Sequence, residues 1–117
     1  MFPEKTIRAI VADDHPLFLK SITSFLRHNN IHVIAAANGK EVLLQIENNM
    51  PDMVVTDIRM PEMNGIELTR QIRKKYPWIK IIILSFFAEN SHIYTLMQYG
   101  INGYLLKGIN EKELLHA

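Results

Sequence analysis

Five short apolar runs punctuate the chain: Ile7 to Ala12, His32 to Ala36, Met53 to Thr56, Lys80 to Leu84 and Gly103 to Leu106. Each has strand length and β-branched or bulky content. They are nearly continuous rather than alternating, the pattern of parallel strands covered on both faces. Between them apolar residues recur at spacings of three and four: Phe18, Ile22, Phe25 and Leu26; Val42, Leu43 and Ile46; Ile66, Thr69, Ile72 and Arg73 less purely; and Ile93, Leu96 and Met97. That spacing predicts helices with one apolar face. Strand and helix alternate five times, so the expected fold is an α/β doubly wound parallel sheet with right-handed crossovers.

Helix starts are also written in the sequence. Asn38, Asn64 and Asn110 each precede a glutamate by three residues, at Glu41, Glu67 and Glu113. Such pairs read as capping boxes, in which asparagine accepts from a first-turn amide and glutamate reaches back. Pro16 marks the first helix, at a position where a missing N–H costs little. The last helix, from near Asn110 to Ala117, has room for about two turns, which points to a cut fragment.

Composition narrows the chemistry. The 117 residues, 48% of them hydrophobic, suit one domain with one core. A net charge of +1 gives no global field that would single out nucleic acid or membrane. Without cysteine there are no disulfides, thiolate metal sites or cysteine nucleophiles, and a cytoplasmic setting is expected. No apolar run approaches the roughly 18 residues of a membrane span. The cluster Arg70, Arg73, Lys74 and Lys75 reads as a solvated helix face, with no direct DNA contact expected.

The strand ends carry the chemistry. Asp13 and Asp14 follow the first run, Asp57 the third, Ser85 the fourth and Lys107 the fifth. In a parallel sheet all carboxyl ends share one edge, where ligands bind at the point of strand-order reversal. Carboxylates gathered there repel one another unless a cation sits among them. All-oxygen donors, with no Cys and no suitable His pair, favour Mg²⁺ or Mn²⁺ over zinc. One divalent ion and Lys107 would balance Asp13, Asp14 and Asp57, as in a phosphoryl-transfer centre. Asp57, standing apart from the acidic pair, is the nucleophile candidate; Ser85 and Lys107 could bind the transferred oxygens. Of five histidines only His15 adjoins the site, as a minor candidate for a general base.

Four segments together resemble the receiver domain of two-component response regulators: Val11-Ala-Asp-Asp-His-Pro-Leu-Phe18, Asp57-Ile-Arg-Met-Pro61-Glu-Met-Asn-Gly65, Leu84-Ser85 and Gly103-Tyr-Leu-Leu-Lys107. The Asp-Asp-His-Pro-Leu-Phe and Gly-Tyr-Leu-Leu-Lys runs are similar to the NarL/LuxR-type subfamily of transcription factors. The resemblance implies strand order 2-1-3-4-5, with residues 1–117 as the receiver and a helix-turn-helix output domain absent. It implies Mg²⁺ held by Asp14, Asp57 and the backbone carbonyl of Arg59, with Asp13 acting through water. Asp57 would take a phosphoryl group from a sensor histidine kinase, Ser85 would turn toward it, and Tyr104 would swing inward. A phosphorylation-dependent homodimer is a further expectation. Two features depart from the common pattern. Gly108 follows Lys107 where many receivers carry a cis proline, and Phe86 and Phe87 follow Ser85 where a small residue is usual. A ring at Phe86 would restrict access to Asp57, and Arg59 and Phe87 occupy positions where the family tunes the lifetime of the phosphorylated state.

Other readings separate cleanly. A degenerate receiver would bind a partner without phosphorylation. An aspartyl-phosphate phosphohydrolase would need a covering lid, and no insertion is long enough to form one. A flavodoxin-like flavin binder would need a phosphate-cradling loop where Asp13 and Asp14 stand.

Overall fold

A computed structural model describes residues 6–85 and 90–107. The expectations for Phe86, Phe87, Gly108 and the final helix with its Asn110–Glu113 cap lie outside these residues. The element order is β1 (Ile7–Ala12), α1 (Pro16–His28), β2 (Ile31–Ala36), α2 (Gly39–Asn48), β3 (Met53–Thr56), α3 (Gly65–Lys75), β4 (Lys80–Ser85), α4 (Asn90–Tyr99) and β5 (Gly103–Leu106). All five strands are parallel, in the order β2-β1-β3-β4-β5. The order reverses between β1 and β3, whose register pairs Val11 with Val55 and Ala12 with Thr56.

Side chains on the two sheet faces build separate cores. On one face Ile10, Val54, Ile81 and Ile83 pack with Val42 and Ile46 of α2, Leu68 and Ile72 of α3, and Leu96 of α4. On the other, Val11, Val33, Val55, Ile82 and Leu84 pack with Ile22 and Leu26 of α1. Each such aliphatic side chain contributes about 1.5–3 kcal/mol on burial. Burial is continuous from Val54 in β3, from Ile81 in β4 and from Ala9 in β1, whereas the edge strands β2 and β5 are only partly covered. An edge strand has a neighbour on one side only, so its flanks stay wet.

Three local expectations are revised. Leu68, outside the predicted stripe of α3, is fully buried, because it lies three and four residues from Gly65 and Ile72 on the inner face. Met97, placed in the stripe of α4, is 66% exposed; Leu96 takes the inward position, and its neighbour turns about 100° away. The capping boxes are partial. Asn38 and Asn64 do accept from the amides of Glu41 and Glu67 at 3.0 and 2.9 Å. Glu41, however, reaches the amide of Ala37, one residue further back, and Glu67 turns forward to Arg70 and Gln71.

Arg73 is not part of a solvated face. Its Nη1 donates to the carbonyls of Pro77 and Ile79 at 2.8 and 2.6 Å, and its Nε and Nη2 donate to that of Gly100 at 3.1 and 2.9 Å. Nη2 also reaches Asn102 Oδ1 at 3.1 Å, and that oxygen accepts from the Ile81 amide. The planar fork suits five donors to several carbonyls at once. It ties the α3–β4 turn to the α4–β5 turn at the end of the sheet opposite the strand carboxyl ends.

Candidate functional site

The parallel register delivers Asp13, Asp57, Ser85 and Lys107 to one edge, as the strand ends predicted. Backbone bonds seat them: the Asp13 amide donates to Ala36 O at 3.2 Å, that of Asp57 to Ala12 O at 3.0 Å, and that of Lys107 to Ser85 O at 2.7 Å. Asp57 is therefore fixed against β1 at the reversal point between β1 and β3.

Lys107 is the electrostatic centre. Its side chain has no solvent exposure, and its Nζ lies 2.6 Å from Asp13 Oδ2 and 2.9 Å from Asp57 Oδ2. The ammonium also sits over the Phe18 ring, 4.5 Å from its centroid, a favourable cation–π contact. Burying charges is tolerated only when they are paired and hydrogen-bonded. Asp57 meets that condition on both oxygens, since its Oδ1 accepts from the Ile58 amide at 2.7 Å. Asp14 is exposed at the mouth.

The loop after β3 is packed to hold Asp57 in place. The Asp57 carbonyl accepts from Thr56 Oγ1 at 2.9 Å, and the Gly65 amide donates to Ile58 O at 2.7 Å. A Cβ at Gly65 would come 2.1 Å from the Asp57 carbonyl oxygen. Glycine is required there by contact, and the spacing from Asp57 to Gly65 has this physical content.

The remaining predicted residues fall into place around this centre. Ser85 is buried at the end of β4, and Tyr104, paired in register with Ile83, is half-buried against the core on the α2–α4 face. Arg59 is exposed in the Asp57 loop. Asp13 and Asp14 do not cap α1: its N-cap is His15, without a side-chain capping bond, while Pro16 takes the first helical position.

His15 is more central than adjacency in sequence conveyed. Its Nδ1 lies 2.9 Å from Asp13 Oδ1, 3.2 Å from Asp14 Oδ1 and 3.7 Å from Asp57 Oδ2. Donor atoms of Asp13, Asp14, His15 and Asp57 all lie within 4.8 Å of one another. Three carboxylates and one ammonium leave two negative charges, which a hard divalent cation would balance. The donor set therefore fits Mg²⁺ or Mn²⁺.

Residues 9–117 match the response regulator receiver domain family. The chain is a response regulator receiver domain. It is 33% identical over 114 residues to the response regulator VraR of Staphylococcus aureus Mu3, covering 96% of this chain and 54% of that protein. The receiver thus spans about half the length of the curated relatives it matches. Its fold superposes on a CheY-like receiver domain from Methanospirillum hungatei JF-1 with a TM-score of 0.91 at 28% identity, covering 96% of this chain and 90% of that one. A LuxR-family DNA-binding response regulator from Staphylococcus aureus gives 0.88 at 28% identity, covering 94% and 93%. The affinity with the NarL/LuxR type is thereby carried by sequence and structure together. Receiver domains are signalling switches that work with sensor histidine kinases, and they use Mg²⁺ at an acidic pocket. Among the described residues no helix is long and apolar enough to cross a membrane.

Proposed function

We propose that this receiver accepts a phosphoryl group on Asp57 from a sensor histidine kinase in a Mg²⁺-dependent reaction. The observation that carries the reading is the buried Asp57 carboxylate, held 2.9 Å from Lys107 Nζ at the reversal point of the sheet with Asp13 and Asp14 beside it. An Asp57 oxygen forms the new bond to phosphorus as the bond from phosphorus to the kinase imidazole nitrogen breaks, giving an acyl phosphate and a free histidine. Asp14, Asp57 and the Arg59 carbonyl would hold Mg²⁺, with Asp13 acting through water. The ion, when bound, neutralises charge on the transferred oxygens.

Lys107 and Ser85 bind those oxygens. Lys107 already spans the site, so it holds negative charge without reorganising. Ser85 turning to the phosphoryl group and Tyr104 moving inward behind it form the switch, a shift between two states biased by phosphorylation. The DNA-binding relative supports transcription regulation as the output, through a helix-turn-helix domain outside this sequence, with phosphorylation-dependent homodimerisation as one route. This receiver is then a self-phosphorylating and self-dephosphorylating switch in the cytoplasm, without direct DNA contact of its own.

Incubation with Mg²⁺ and a small acyl-phosphate donor, followed by intact mass measurement of wild type and Asp57→Asn, tests the assignment. A base-labile phosphate adduct on wild type alone is expected. An equal adduct on the variant would move the acceptor elsewhere. If neither protein forms an adduct and wild type also fails to bind beryllofluoride, the phosphoacceptor reading is lost in favour of a phosphorylation-independent binding module.

A further inference from the structure

The start of α1 breaks a local rule. An N-cap position favours Ser, Thr, Asp or Asn, whose side chains satisfy a first-turn amide that other residues leave to water. Here the N-cap is His15, and its side chain makes no capping bond. Departures of this kind concentrate at functional sites. The imidazole goes instead to the carboxylates, and the backbone directs it there. The His15 amide donates to Asp13 Oδ1 at 2.8 Å, its carbonyl accepts the first helical bond from the Leu19 amide at 2.9 Å, and Pro16 holds it in the extended conformation at φ −98° and ψ 101°. Both backbone groups of His15 are committed before the ring is placed.

The resulting distances have a chemical meaning. An octahedral ion with bonds of about 2.1 Å sets neighbouring donor atoms about 3.0 Å apart. His15 Nδ1 stands 3.2 Å from Asp14 Oδ1, the spacing of donors that share an edge of one coordination shell. The same nitrogen hydrogen-bonds Asp13 Oδ1 at 2.9 Å and lies 3.5 Å from Lys107 Nζ, contacts that a bound ion would replace, leaving Asp13 to act through water. At 3.7 Å, Asp57 Oδ2 is also within the range of a shared shell. The ring side chain is 54% exposed, so it can turn at the mouth of the site without disturbing either core.

We infer that His15 is a ligand in the cation site of this receiver and sets its metal preference. The inference rests on the metal-dependent reading above and deepens it. A nitrogen donor adds little for Mg²⁺, which prefers oxygen and retains its waters, but adds to the binding of borderline ions such as Mn²⁺ and Co²⁺. One imidazole beside the oxygen donors would widen the usable cations toward first-row transition metals.

The test titrates Mg²⁺, Mn²⁺ and Co²⁺ calorimetrically into wild type, His15→Ala and His15→Gln at one fixed pH, with intact-mass phosphorylation run alongside on the same samples. Ligation predicts that His15→Ala weakens Mn²⁺ and Co²⁺ by about tenfold or more while Mg²⁺ changes less than about threefold. It also predicts a change in the visible absorption of the Co²⁺ complex on loss of the nitrogen donor. The glutamine variant, which keeps a polar group of similar reach, should follow alanine for Co²⁺. If the ratio of affinities stays at the wild-type value while Mg²⁺ still supports phosphorylation of Asp57, the assignment of His15 is overturned and the proposed function stands. If wild type binds none of the three ions, both fall together.

Discussion

Gly65→Ala puts a single methyl group against the backbone that carries the phosphoacceptor. The new Cβ would lie 2.1 Å from the Asp57 carbonyl oxygen, against a floor of 3.0 Å for real contacts, so the two must separate by at least 3.0 − 2.1 = 0.9 Å. That carbonyl cannot simply swing aside. Thr56 Oγ1 bonds it at 2.9 Å, the Asp57 amide is tied to Ala12 O, and the Gly65 amide is tied to Ile58 O. Overpacking of this kind costs about 3 kcal/mol. Alanine returns at most about 1 kcal/mol of helix propensity, leaving a net loss of about 2 kcal/mol. With a urea slope of about 1.5 kcal/mol per molar, the unfolding midpoint should fall by about 1.3 M. Displacement of Asp57 by nearly an ångström should also slow phosphorylation by roughly a hundredfold. Gly39→Ala is the internal comparison: its nearest backbone contact is Met63 O at 2.8 Å, and its other two are side-chain atoms of the same residue at 2.9 and 3.0 Å. It should lose less than half as much stability and keep its phosphorylation rate. A Gly65→Ala midpoint equal to or above that of wild type would show that the Asp57 loop yields freely, and the packing account would be wrong.

Three further outcomes follow from named contacts. Lys107→Met leaves Asp13 and Asp57 facing each other without their shared ammonium; a loss of about 3–5 kcal/mol is expected in urea melts, partly restored by millimolar Mg²⁺, and no recovery with metal would argue against a cation site there. Arg73→Lys cannot reproduce the fork that reaches Pro77, Ile79, Gly100 and Asn102, so it should lower the thermal midpoint by about 8 °C, for about 2 kcal/mol lost, with Asp57 phosphorylation retained. Hydrogen bonds from Arg70 and then Gln71 lower the Glu67 pKa from 4.5 to about 2. Its folded-state value lies below the unfolded one, so its contribution is present above pH 4.5 and is lost as pH falls toward 2. The stability gap between wild type and Glu67→Gln should shrink across that window, and a constant gap in acid titrations would refute the pairing.

The sheet and most of the site were legible because each depends on short-range rules. Apolar runs mark buried strands, and a parallel sheet then places Asp13, Asp57, Ser85 and Lys107 on one edge whatever the side-chain details. What stayed hidden depends on direction. Periodicity could not decide between Leu96 and Met97 for the inner face of α4, because adjacent residues lie only about 100° apart. Glu67 had two partners within reach, and Arg70 with Gln71 outcompeted the cap. Arg73 looked solvated within a basic run, but only the folded chain brings Gly100 and Asn102 to it. His15 was visible as a neighbour of Asp14, yet its orientation follows from the Asp13 carboxylate accepting its amide. An Asx-type turn just before Pro16 is a signal that could have revealed it.

Because Arg73 grips the Gly100 carbonyl, any tilt of α4 would pivot at the base of the domain. The helix, Asn90–Tyr99, ends beside the clamped carbonyl, while its first turn lies toward the end of β4 that carries Ser85. Ten residues give an arm of about 15 Å. A tilt of about 10° at the clamp would then carry the free end about 2.6 Å, on the scale of known helix shifts. Tyr94 and Met97, both about two-thirds exposed on that arm at 65% and 66%, would travel unequally, Tyr94 further because it stands nearer the tip. A partner reading this surface would sense the angle of the helix more than its position, and the guanidinium that sets the pivot is at the opposite end of the sheet from the chemistry.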